Sequence, residues 1–157
     1  MLRFVTGLTC FFLLIWSYPA ISSDQLDSAT APLKKYYEGT FRWNDSDTAD
    51  RVFIELDHID TSPNGRITAY GKGVYIFTDP DSLTSIEVKW VINPKSLKFE
   101  MWEMNAVGEE DFTTNGSHVG TISADMDSIT AIWTTRGTGR QGTLQLGSTD
   151  LARQISH

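Results

Sequence analysis

The sequence predicts an all-β chain folded as an antiparallel up-and-down β-barrel of about eight strands. Three observations carry that expectation. Short runs of alternating apolar and polar residues recur along the chain, turn residues separate them at even spacing, and no window shows a sustained 3.6-residue apolar stripe. Connections this short favour neighbouring antiparallel strands in sequence order. Closing that meander into a barrel removes exposed strand edges.

The strands are expected at 36–43, 51–59, 66–78, 85–92, 97–104, 118–123, 128–135 and 142–147. Val52, Ile54 and Leu56 alternate with polar neighbours, as do Ile86, Val88, Trp90 and Ile92. Leu97, Phe99 and Met101 repeat the pattern after Asn93-Pro94-Lys95-Ser96, a turn whose proline presets the first central φ. Ile129, Ala131 and Trp133 repeat it again. Gly71 and Gly73 mark the long third strand as the place for a bend or bulge.

Successive hairpin loops fall at alternate ends of such a barrel. One end receives 44–50, 79–84, 105–117 and 136–141, and the other receives 60–65, 93–96 and 124–127. The first set is longer and is the expected mouth, since long loops on a rigid scaffold are where binding sits.

Residues 1–22 stand apart from this pattern. Met1-Leu2-Arg3 supplies a positive start, Phe4 to Trp16 is mostly apolar, and Ala20-Ile21-Ser22 offers small residues to a signal peptidase. The apolar run is shorter than the ~20 residues that span a bilayer, so it reads as a cleaved signal peptide rather than an anchor. Cys10, the chain's one cysteine, is followed by further apolar residues and does not fit a lipid-modified terminus. The expectation is an exported protein, periplasmic or extracellular, with no stable membrane insertion after cleavage. Residues 23–35 read as a flexible lead-in, 36–147 as the barrel and 148–157 as a flexible tail.

Composition narrows the chemistry. The whole chain has 157 residues, with 20 acids against 13 bases. Loss of Arg3 with the leader leaves 12 bases and a net charge of −8. That balance, with no basic stripe, argues against nucleic acid as a partner. A mature chain without cysteine relies on its apolar core and offers no thiolate to a metal or a substrate. His58, His118 and His157 lack metal-ligand spacing, so neither metal nor cofactor is expected.

Several motifs dissolve on inspection. Gly137-Thr138-Gly139-Arg140-Gln141-Gly142 matches a dinucleotide-binding G-x-G-x-x-G, but it lies between two strand-like runs where that chemistry needs a helix. It reads as a hairpin turn. An EF-hand begun at Asp45 puts Asp50 at the glycine position and Leu56 at the glutamate position. No G-x-S-x-G is present. Asn44-Asp45-Ser46 and Asn115-Gly116-Ser117 are glycosylation acceptors in a eukaryotic host. Glu55-Leu56-Asp57-His58-Ile59-Asp60 resembles the E-x-D-x-x-E strand of laminarinase-type glycoside hydrolases, with aspartate in the last place. That resemblance implies a paired-carboxylate hydrolase. The alternation instead puts Glu55 and Asp57 on the solvated face.

Two surfaces remain as binding candidates. Tyr75, Trp90, Phe99 and Trp133 fall on the inward phase, where they either fill the barrel or line a cavity for a small apolar or aromatic ligand. The mouth loops carry Asp45, Asp47, Asp50, Asp79, Asp81, Glu109, Glu110 and Asp111 against Arg136 and Arg140. Such an end suits a basic protein, as an inhibitor or adaptor would grip it.

The eight-strand meander behind an export signal resembles the calycin-type barrels, the architecture of lipocalins and avidins. Lipocalins open on G-x-W; here Gly39-Thr40-Phe41 carries Phe, with Trp43 two residues on. Thr78-Asp79-Pro80 carries Pro where lipocalins have T-D-Y. The resemblance therefore implies the barrel and transfers no functional residue. The expected function is non-enzymatic capture of a small ligand by an exported barrel.

Overall fold

The computed structural model describes residues 31–78, 81–110 and 112–150. The predicted leader, residues 1–22, and most of the lead-in lie outside the described residues, as do Asp79, Asp111 and the last seven residues. Eight strands close into one antiparallel barrel in sequence order. They are β1 (Tyr36–Trp43), β2 (Asp50–Thr61), β3 (Ile67–Thr78), β4 (Asp81–Asn93), β5 (Lys98–Val107), β6 (Gly116–Ile122), β7 (Ser128–Thr135) and β8 (Gln141–Ser148). The barrel has calycin-like architecture. It closes where β1 pairs with β8, from Tyr37 opposite Ser148 to Trp43 opposite Gly142.

Alternation decides which side chains enter. Val52, Ile54 and Leu56 of β2 are buried, as are Ile86, Val88, Trp90 and Ile92 of β4. The expected irregularity at the glycines is present, but its extra residue lies on the partner strand. Leu56 pairs with Gly71 and His58 with Tyr70, so Asp57 is the bulged residue.

β4 begins four residues earlier than expected. Thr78 pairs with Asp81 and Tyr75 with Thr84, which reduces the connection to residues 79 and 80. The inward positions of this extension are Ser82 and Thr84, so no apolar alternation announced it. The mouth therefore owes its length to other loops, above all the eight residues between Val107 and Gly116. The glycine-rich segment after β7 is a hairpin turn in which Gly137 and Gly139 take positive φ, a region costly to other residues.

The barrel end opposite the mouth is filled. Trp90 meets Tyr37 at 5.0 Å and Phe99 at 5.1 Å, the latter edge to face. Ile92, Ile122, Met126 and Ile129 close the space around them. Burying each large side chain contributes on the order of 2–3 kcal/mol. The Tyr37 hydroxyl donates to the Met126 carbonyl at 2.7 Å, tying β1 to the turn between β6 and β7. Burial pushes the Tyr37 hydroxyl up to about 12. Residues 31–35 run against this end: Ala31 and Leu33 pack on the core, and Leu56 donates its N–H to the Lys35 carbonyl at 2.8 Å.

Candidate functional site

The mouth half of the barrel holds a cavity of about 240 Å3. Its walls follow from strand alternation. β1 contributes Phe41 and Trp43, β3 contributes Tyr75 and Phe77, and β7 contributes Trp133. Phe112, from the long β5–β6 loop, completes a set of six aromatic side chains. Trp43 and Trp133 meet edge to face at 5.1 Å, and Phe112 lies 5.1 Å from Tyr75. Trp133 lies across Gly116 on the neighbouring strand. A Cβ added there would approach the indole Cε2 to 2.6 Å, so glycine is what admits the ring.

One polar cluster interrupts this apolar lining. Glu103 of β5 and His118 of β6 both border the cavity, with their side chains 3% and 0% exposed. Glu103 Oε1 accepts hydrogen bonds from the Tyr75 hydroxyl and from His118 Nε2, the latter at 3.0 Å. Burial first, and the adjacent Glu103 charge second, drive the Tyr75 hydroxyl well above its ordinary value, so it stays a donor. His118 Nδ1 and Ser82 Oγ are buried without a hydrogen-bond partner among the described residues. Buried polar atoms are costly when unpaired, and both residues border the cavity.

Arg140 forms the rim. Its guanidinium donates to both oxygens of Asp45, at 3.1 and 3.0 Å, and lies 3.9 Å over the Trp43 ring. The paired guanidinium holds the Asp45 carboxyl below its usual range. Glu109 also borders the cavity, and its N–H donates to Thr84 Oγ1 at 3.0 Å.

The structure divides the interior aromatics named from the sequence. Tyr75 and Trp133 border the cavity, whereas Trp90 and Phe99 lie wholly buried in the filled half. The mouth residues divide too. Asp45 is engaged by Arg140, and Asp81 heads β4. Asp47, Glu110 and Arg136 are exposed, and Asp79 lies outside the described residues. Glu55 and Asp57 occupy the outer wall, with Glu55 paired to Lys35 at 2.9 Å, and the Asp60 carboxylate lies 3.0 Å from His58 Nε2. None of these three borders the cavity.

Neither Glu103 nor its pairing with His118 is read from the sequence, and of the two only Glu103 carries a signal there. Glu103 continues the inward phase of Phe99 and Met101, and a carboxylate on that phase is conspicuous. His118 reaches Glu103 from the neighbouring strand, a juxtaposition that sequence spacing does not display. Among the described residues, no group of three or more His, Cys, Asp or Glu is placed to hold a metal ion. No known family matches the chain, and no curated protein matches it.

Proposed function

We propose that the chain is an exported binding protein that captures a small, largely aromatic molecule in the mouth half of its barrel. The observation that carries this reading is the cavity of about 240 Å3 walled by six aromatic side chains. An eight-stranded barrel has room either for its own side chains or for one small ligand. Here the space is divided between the two uses. Ligand sites are characteristically apolar with a few polar groups that fix orientation, the composition found around Glu103, His118 and Tyr75. Export rests on the leader at residues 1–22, whose charged start, apolar run and small-residue close suit a signal peptidase.

Capture of a basic protein by the acidic loop end has less support, because Arg140 already neutralises Asp45 at that rim. The test is native and denaturing mass spectrometry on protein purified gently from its host. The expected result is a chain beginning at Ser23 that carries added mass only under native conditions, and that loses it in Trp133→Ala. A bare chain under both conditions contradicts the binding reading. A chain beginning at Met1 contradicts export.

A further inference from the structure

Resting on the proposal that the cavity binds an aromatic molecule, we infer that its occupant is an arylalkyl amine whose ammonium group docks on Glu103. Glu103 is a carboxylate set into an otherwise aromatic wall, with its side chain 3% exposed. Its Oε1 already accepts from Tyr75 and His118, and no hydrogen bond to Oε2 is present among the described residues. The donor that completes this carboxylate is therefore sought from outside the protein. With Nε2 of His118 donating to Glu103, Nδ1 has no hydrogen-bond partner among the described residues.

The other charged groups at the cavity favour the same sign. Glu109 adds a second carboxylate, and Arg140, the basic residue at this rim, has its guanidinium engaged by Asp45. An entering anion would face Glu103 without compensation, and a neutral arene would leave Oε2 bare. Aromatic faces add cation–π attraction, and Trp43 already holds one cation, the Arg140 guanidinium, 3.9 Å above its ring. The volume of about 240 Å3 exceeds the ~150 Å3 apolar cavity that takes benzene, leaving room for a bicyclic ring and a short arm.

The test compares three indoles with different side arms by calorimetry on the mature protein: tryptamine, 3-ethylindole and indole-3-propionate. Tryptamine is expected to bind at least ten-fold tighter than 3-ethylindole, with indole-3-propionate weakest. Glu103→Gln is expected to bring the ratio of tryptamine to 3-ethylindole affinity close to one. Should that variant fail to fold, the wild-type series still decides. Equal affinities for tryptamine and 3-ethylindole, or preference for the propionate, overturn the ammonium assignment and leave the aromatic site standing. Failure of all three to bind overturns both.

Discussion

The two halves of this barrel are built from the same residue types and do different things with them. In the filled half, Tyr37 and Phe99 both pack on Trp90, and Met126 and several isoleucines complete the same buried cluster. In the mouth half, Phe41 meets Tyr75 at 5.9 Å and Trp133 at 6.5 Å, both edge to face, yet these rings wall a space, and a carboxylate and an imidazole join them. Aromatic content therefore does not separate core from site. What separates them is closure: the five-residue β6–β7 turn folds Met126 into one end, whereas the longer β5–β6 loop caps the other only partly with Phe112. Neither half is free of unpaired groups, for the Trp90 indole N–H is buried without a hydrogen-bond partner among the described residues. In the mouth half the residues that carry such atoms, His118 and Ser82, line the cavity.

The sharpest way to break the contrast is to empty the filled half. Trp90→Ala is expected to cost about 3–5 kcal/mol in urea unfolding, the range for a large aromatic removed from a packed core. A cost below ~1 kcal/mol would mean that this half is loosely packed as well.

Alkali offers the next largest effect. Burial raises the Tyr37 hydroxyl from 10.0 to about 12, and burial raises the Tyr75 hydroxyl in the same direction. A group whose folded value is raised stabilises the fold fully below its unfolded value and loses that contribution as pH climbs through the folded one. Stability should therefore hold to about pH 10 and fall between about 10 and 12. In a tyrosinate absorbance titration, Tyr37 and Tyr75 should ionise only as the near-UV circular dichroism is lost. All tyrosines titrating at ordinary values in an intact fold would contradict their burial.

Tyr37→Phe removes the hydroxyl from Met126 O while keeping the ring. The expected loss is about 1–2 kcal/mol, because the carbonyl is left buried and unpaired. The smallest effect on stability belongs to the mouth. Phe112→Ala removes a partly buried loop side chain and should cost under ~1 kcal/mol, yet weaken 3-ethylindole binding several-fold by opening the cavity. Equal losses for Phe112→Ala and Trp90→Ala would erase the distinction between the halves.

The barrel was legible in the sequence because period-two alternation reports which strand face is buried. It was least legible where inward residues are polar. Ser82 and Thr84 extend β4 without an apolar signature, and Gly116 opens β6 where the Trp133 ring needs room. Alternation reports phase but not height along the barrel. It placed Trp90, Phe99, Tyr75 and Trp133 inside alike and could not say that the first two lie below the cavity. The Glu103–His118 contact depends on register between β5 and β6, where Met101 lies opposite His118. Register is set by loops and neighbouring strands, so no spacing within either segment encodes it. Arg140 and Asp45 are likewise 95 residues apart and meet only because β1 and β8 close the barrel.

The division of the barrel is tested most directly by the tryptophan indole N–H signals in a proton–nitrogen NMR spectrum during addition of tryptamine. Trp43 and Trp133 border the cavity, Trp90 is sealed in the other half, and Trp102 does not border the cavity. The Trp43 and Trp133 signals are expected to move together and saturate while those of Trp90 and Trp102 stay fixed. Movement of Trp90 with the others, or four signals unchanged at high tryptamine, would contradict it.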